Sequence, residues 1–233
     1  MTKKKVSLKP KQSMAYSKKT VDSKRKGSLS SDDLWHNDPD LIRQFIERRP
    51  DYEQLCAEVA YILRKRLQSK NIEYSTVLYR AKTLNSFFNK LNRKKYSNLL
   101  TEVTDFAGVR VVSLYVSDLK LIEAIIQKEF DVVEKIDKLK EKTSDQFGYL
   151  ANHYIVKLGR RSSGARYDDL KNLVCEIQVR TVLQDAWAII QHHLVYKHES
   201  KVPKDIHRKL NSLAGLLETA DDQFDNVRDK REA

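Results

Sequence analysis

The chain has 233 residues, of which 40% are hydrophobic and 33% charged, with a formal net charge of +12. That length suits one domain with appended helices, and the apolar content is enough for a core. No apolar run reaches membrane-spanning length and no signal-peptide stretch follows the basic start, so the chain reads as soluble and cytoplasmic, with no membrane partner.

The cysteines, Cys56 and Cys175, are too few and too far apart for a disulfide framework or a CxxC site. Three of the six histidines cluster, at His192, His193 and His198, without cysteines or well-placed acids beside them, which argues against structural zinc.

Residues 1–31 hold ten Lys/Arg and one acid, so they supply +9 of the net charge. Rich in Ser and Lys and poor in apolar residues, this segment predicts a disordered tail. It could hold RNA or another polyanion electrostatically, or simply be solvated. The organisation expected is a basic tail over 1–35, helices over 36–70, a core over 71–200, and a helix with a charged tail over 201–233.

Asn37-Asp38-Pro39 is a helix start, with proline at the first helical position. Leu41, Ile42, Phe45 and Ile46 give that helix one apolar face until Pro50. A second helix is expected from Asp51 to about Ser69, with Tyr52, Leu55, Val59, Ile62 and Leu63 inward. Ile72 to Tyr79 reads as a strand. Arg80 and Lys82 follow it, and Leu84, Phe87, Phe88 and Leu91 then mark a helix from about Thr83 to Lys94. Two cations at a strand-to-helix junction can meet phosphate oxygens, and the helix N-terminus favours the same anion. Ordinary surface charge gives the same pattern.

The run from Thr104 to Tyr115 predicts a central strand buried on both faces, with Asp105 at its mouth, where an acid can cap a turn or bind a cation. Ser117-Asp118 is read as the cap of a helix over Leu119 to Phe130. An edge strand is expected over Asp131 to Leu139 and another strand over Tyr149 to Leu158, with Tyr149, Ala151 and His153 on one face. Gly159 to Asp169 is a loop.

The most informative stretch is Asn172 to Lys197, a strand, a turn and a helix. Cys175, Ile177 and Val179 point one way along the strand, and Glu176, Gln178 and Arg180 the other. A carboxylate, an amide and a guanidinium in line suggest a ligand face, although a solvent-exposed strand face is equally regular. In the helix, Leu183, Trp187, Ile190 and Leu194 form an expected core stripe. A last helix opens at Pro203, with Ile206, Leu210, Leu213 and Leu217 on the side that packs on the core, another subunit or a partner. A homo-oligomer is compatible with that stripe.

Four segments in order, YRAKTLNSFFNKL, DFAGVRVV, FGYLANHY and CEIQVRTVLQDAWAIIQHHLVYK, resemble the synthetase domain of the RelA/SpoT family in its single-domain, small alarmone synthetase form. The resemblance covers about Tyr74 to Lys197. It implies an α+β fold, a mixed β-sheet flanked by helices and similar to nucleotidyltransferases. It also implies an enzyme that transfers the β,γ-pyrophosphate of ATP to a ribose 3′-hydroxyl. By that resemblance Asp105 and Glu176 are the catalytic, Mg2+-holding residues, and Glu176 also helps deprotonate the hydroxyl. Arg80, Lys82, Ser86 and Arg110 match the ATP side. Tyr149, His153, Gln178 and Arg180 match the acceptor side, with Tyr149 stacked on the acceptor base.

The chain departs from the family pattern at Leu150 and Ala151, where the acceptor loop usually carries polar residues, and at Ile189 and Gln191, where acids are usual. The His-Asp pair of the hydrolase domain that the family also contains does not occur in this sequence. The altered loop and the lysine-rich tail favour the 3′-CCA end of tRNA as acceptor. That acceptor implies a translation-inhibiting toxin controlled by an antitoxin protein. GDP or GTP is the alternative acceptor, in a (p)ppGpp synthetase of the stringent response. An inactive RNA- or partner-binding module is the non-enzymatic alternative.

Overall fold

Pro39 opens a helix that does not stop at Pro50. In the computed structural model, which describes residues 39–93, 103–137, 151–195 and 204–232, helix α1 runs unbroken over Pro39–Ser69 with Pro50 inside it. Two helices meeting at Pro50 was therefore the wrong expectation. A proline inside a helix removes one hydrogen bond and costs about 3 kcal/mol. Here packing outweighs that cost, because both halves are pinned to one ring. Phe45, before the proline, and Tyr52, after it, lie 5.7 and 5.1 Å from the Phe106 ring centre. Ile46, expected inward, is exposed.

The remaining elements are β1 (Tyr74–Ala81), α2 (Leu84–Arg93), β2 (Ala107–Ser113), α3 (Asp118–Glu129), β3 (Phe130–Asp137), β4 (Asn152–Leu158), β5 (Cys175–Thr181), α4 (Val182–Val195) and α5 (Lys204–Glu232). The five strands form one mixed sheet in the order β1-β2-β5-β4-β3. The β2–β5 pair is parallel and the other neighbours are antiparallel.

Register decides what shares a face. Tyr79, Val109, Ile177 and Tyr154 are directly opposite one another across four strands, and so are Leu78, Arg110, Gln178 and His153. The first row lies on the side of the sheet that carries Val77, Val111, Cys175 and Val179, all buried together with Leu55, Val59 and Leu63 of α1 and Ile122 and Ile126 of α3. Each large apolar side chain buried there contributes about 1.5–3 kcal/mol. The second row lies on the opposite side. Strand β2 therefore alternates buried and half-buried residues over its first half, because Gly108 and Arg110 face away from the core.

Two helix details differ from expectation. Ser117 makes no side-chain cap to α3; its hydroxyl donates instead to Asp225 on α5 at 3.0 Å and accepts from Arg228. On α4, Trp187 is buried against Leu210 and Ala214 of α5, with Leu183 and Leu217 beside them. Ile190 and Leu194, expected in the same stripe, are about half exposed, as is Leu213 on α5. The contact between the two helices is short, so only the first turns of the α4 stripe reach a partner. Among the described residues no helix is long and apolar enough to cross a membrane. The basic tail and residues 147–150, including Tyr149, lie outside the described residues.

Candidate functional site

The face of the sheet turned away from α1 opens into a cleft of about 400 Å³. Its floor is Arg80 and Leu78 of β1, Gly108 and Arg110 of β2, and Glu176 and Gln178 of β5. One wall is the β1–α2 junction, with Lys82, Thr83 and Ser86, and Asp105 stands at the entrance to β2. The strand pairing carries this arrangement past the end of β1, since the Lys82 amide donates to the Phe106 carbonyl at 2.8 Å. Thr83 then caps α2, its hydroxyl oxygen accepting from the Ser86 amide at 3.3 Å while its proton goes to the Ser86 hydroxyl at 2.9 Å. The N-terminus of α2 thus opens at the cleft wall.

Asp105 is clamped between two ammoniums, Lys82 at 2.8 Å and Lys90 at 2.6 Å. Burial pushes its carboxyl up, but the two lysines outweigh burial and hold it below the ordinary carboxylate range. Glu176 is held differently. One oxygen meets His153 Nδ1 at 2.7 Å and the other accepts from Gln178 Nε2 at 3.0 Å. Burial again acts upward, His153 and Gln178 together outweigh it, and the carboxyl sits below its usual value. The charge of Asp105 also reaches Glu176, in the opposing sense. Both groups are therefore ionised at neutral pH.

Behind Glu176 the contacts continue. Gln178 Oε1 accepts from Arg180 Nη2 at 2.9 Å, Arg180 Nη1 lies 3.4 Å from Asp185 Oδ1, and Arg110 Nη1 lies 3.0 Å from the same oxygen. An unbroken polar chain thus links His153, Glu176, Gln178, Arg180, Asp185 and Arg110. The polar face of β5 is a set of mutually restrained groups rather than a wetted surface. Such restraint places charged atoms before any ligand arrives.

Of the residues singled out from sequence, Asp105, Glu176, Arg80, Lys82, Ser86, Arg110 and Gln178 line the cleft together. His153 and Arg180 stand behind it, both largely buried, and touch it through Glu176 and Gln178. Tyr149 is outside the described residues. Arg80 has no ion-pair partner among the described residues and is exposed. Sequence reasoning missed Lys90 and Asp185. A signal for Lys90 was present, since Thr83, Ser86 and Lys90 recur at i, i+3, i+7, a polar strip along α2. Asp185 had none, because its partners lie on two different strands.

Two carboxylates and no thiolate or free imidazole make an oxygen donor set of the kind that holds a hard divalent cation alongside phosphate oxygens. Their mutual repulsion across the cleft is what a cation would relieve. No cluster of three or more His, Cys, Asp or Glu able to hold a metal occurs among the described residues, so such a cation would take its other ligands from the substrate or from water.

Residues 79–201 match the family model described as the region found in RelA / SpoT proteins. The chain is 26% identical over 152 residues to the GTP pyrophosphokinase YjbM of Bacillus subtilis, covering 64% of this chain and 69% of that protein. It is 28% identical over 151 residues to the GTP pyrophosphokinase YwaC of the same organism, covering 62% and 69%. Among solved structures, a GTP pyrophosphokinase family protein from Streptococcus pneumoniae superposes with a TM-score of 0.66 at 26% identity, over 80% of this chain and 94% of that one. The small alarmone synthetase 1 of Bacillus subtilis bound to its product pppGpp has the same fold, with a TM-score of 0.67 at 23% identity over 82% and 100%. With the family match spanning both carboxylates and every cation of the cleft and more than half of the sequence, the chain belongs to the RelA/SpoT family.

Proposed function

We propose that the protein is an ATP-dependent pyrophosphokinase that transfers the β,γ-pyrophosphate of ATP to a ribose 3′-hydroxyl. The observation that carries this reading is the convergence of Asp105 and Glu176 with Arg80, Lys82 and Arg110 in one cleft. Three cations and two carboxylates suit a polyphosphate that arrives with a divalent metal. In the proposal Asp105 and Glu176 hold Mg2+, which when bound screens the phosphate charge and polarises the phosphorus under attack.

The protein's own groups do the rest. Lys82 and Lys90, now neutralised by Asp105, have ammonium donors that can turn to phosphate oxygens. Arg80 and Arg110 offer planar guanidiniums, suited to phosphate forks or to stacking on a base. Ser86 adds a hydroxyl at the α2 N-terminus. Glu176, kept ionised and oriented by His153 and Gln178, accepts the hydrogen bond of the incoming hydroxyl and aligns it. Its depressed pKa makes it a better aligner than a resting general base.

For the acceptor, the likeness to two GTP pyrophosphokinases of Bacillus subtilis supports GTP or GDP, which would make the product an alarmone. A second reading, the 3′-CCA end of tRNA with the protein acting as a toxin under an antitoxin, is favoured by Leu150 and Ala151. Ala151 is buried and apolar just before β4, two residues ahead of His153, and offers no polar side chain to a free guanine nucleotide. Incubation with ATP labelled in the γ-phosphate and GDP, GTP or deacylated tRNA separates the readings. Label in guanosine tetra- or pentaphosphate alone sinks the tRNA reading, and label in tRNA alone sinks the alarmone reading. No transfer to any acceptor sinks the enzyme.

A further inference from the structure

Arg110 reaches into the cleft, yet its orientation is set from behind. Its polar partner among the described residues is Asp185, at 3.0 Å, and its Nε is buried without a hydrogen-bond partner. Arg180 meets the same carboxylate oxygen at 3.4 Å, and its Nε is likewise unpartnered. Two guanidiniums therefore converge on one oxygen of one aspartate. Burial and then the charge of Arg110 pull the pKa of Arg180 down, which registers how closely the two like charges approach. Asp185 bridges them.

The aspartate is itself firmly placed. It lies in the first turn of α4, where a negative charge suits the helix dipole. That turn is locked by a reciprocal cap. The Thr181 amide donates to Gln184 Oε1 at 3.0 Å and the Gln184 amide donates to Thr181 Oγ1 at 3.1 Å. The Thr181 hydroxyl in turn donates to the buried Asp221 of α5 at 2.6 Å.

We propose that Asp185 is a positioning residue for ATP binding: it holds Arg110 and Arg180 side by side and so fixes where the Arg110 guanidinium enters the cleft. The inference rests on the reading of the cleft as an ATP site. It makes Asp185 a determinant of donor affinity although it does not line the cleft. Replacing the carboxylate by an amide removes the charge that reconciles the two arginines, and Arg110 then leaves the position at which it enters the cleft.

The test is a double-mutant cycle of Asp185→Asn and Arg110→Ala in the full chain. It is read by calorimetric binding of α,β-methylene ATP and by KM for ATP against kcat. Asp185→Asn is expected to weaken analogue binding about tenfold and to raise KM with kcat largely held. In the Arg110→Ala background the same change is expected to add less than about twofold, because the residue it positions is gone. Asp185→Glu, which keeps the charge, is expected to recover binding to within about threefold of wild type. It also carries the test if the amide variant does not fold, in which case loss as great as that of Arg110→Ala overturns the proposal. Wild-type or tighter binding by Asp185→Asn, with Arg110→Ala weakened, overturns the role of Asp185 and leaves the ATP site standing. Wild-type binding by Arg110→Ala overturns the ATP reading of this part of the cleft, and the inference with it.

Discussion

Strand β5 has two faces that solve opposite problems. Cys175, Ile177, Val179 and Thr181 point into the core and are at most 1% exposed. Glu176, Gln178 and Arg180 point the other way and keep some exposure, each bonded to the next. The first face is held by close packing, which resists any change of volume. The second is held by charge and hydrogen bonds, which resist any change of polarity. One strand can therefore be damaged in two separable ways. Loss of stability should follow from one face and loss of chemistry from the other.

The sharpest way to break that division is Glu176→Gln. It keeps shape and removes charge, so pyrophosphoryl transfer is expected to fall by at least about 10³-fold. Thermal unfolding should move little. A variant that keeps even a tenth of wild-type turnover would remove Glu176 from the centre of the site.

Ile177→Ala attacks the other face. The side chain is fully buried, and its removal is expected to cost about 2–5 kcal/mol, read from urea unfolding. Turnover per folded molecule should persist. If turnover falls with an unchanged unfolding midpoint, the two faces are not independent.

Gly108 sharpens the comparison, because it sits on the cleft face but carries no side chain. A Cβ added there would meet nothing closer than the Arg80 carbonyl oxygen at 3.8 Å, so the fold does not require glycine. Gly108→Ala is expected to stabilise the strand by about 0.5–1 kcal/mol. If substrate lies over this floor, KM for ATP should rise several-fold at the same time. A gain of stability with no kinetic effect would place the substrate elsewhere.

The smallest effect expected is on acid stability. Asp105 and Glu176 both have lowered values in the folded state, so their contribution is present above the ordinary carboxylate range, near pH 4, and is lost as pH falls through the lower folded values. Lys90→Met removes one of the two ammoniums on Asp105. Burial then counts for more, the carboxyl titrates at higher pH, and acid unfolding should begin earlier. At neutral pH the cost should be under about 1 kcal/mol, since the pair is only partly buried. An acid limb unchanged by the substitution would mean that Lys82 alone sets Asp105.

The alternation of β5 could be read directly from the chain, since a period of two needs no tertiary information. The same holds for Phe87 and Phe88 on α2 and for Ile122 and Ile126 on α3, which are buried where their spacing puts them. Pro50 misled because its local cost is real, and it is offset by packing remote in sequence, such as the shared contact of Phe45 and Tyr52 with Phe106. Ser117 misled because its hydroxyl had a stronger partner on a helix far away in sequence. The α4 stripe was overextended because periodicity reports a face, not how far a partner helix runs along it. At the site, the residue types were legible but their pairings were not. Nothing local joins Lys90 to Asp105 or Asp185 to Arg110, since each pair forms only when elements remote in the chain come together.

That remoteness has a consequence for a chain still being made. Strands β2 and β5 are neighbours in the sheet, yet α3, β3 and β4 all lie between them in the chain. Arg80, Lys82 and Asp105 leave the ribosome well before Glu176. Until β5 inserts between β2 and β4, half the cleft exists and the other half is an open slot with two unpaired edges. Closing such a slot is a long-range event and correspondingly slow. A partly synthesised chain can thus carry the cations of the β1–α2 junction without the second carboxylate of the cleft, and the cleft floor is completed in one step, with the strand that completes the sheet.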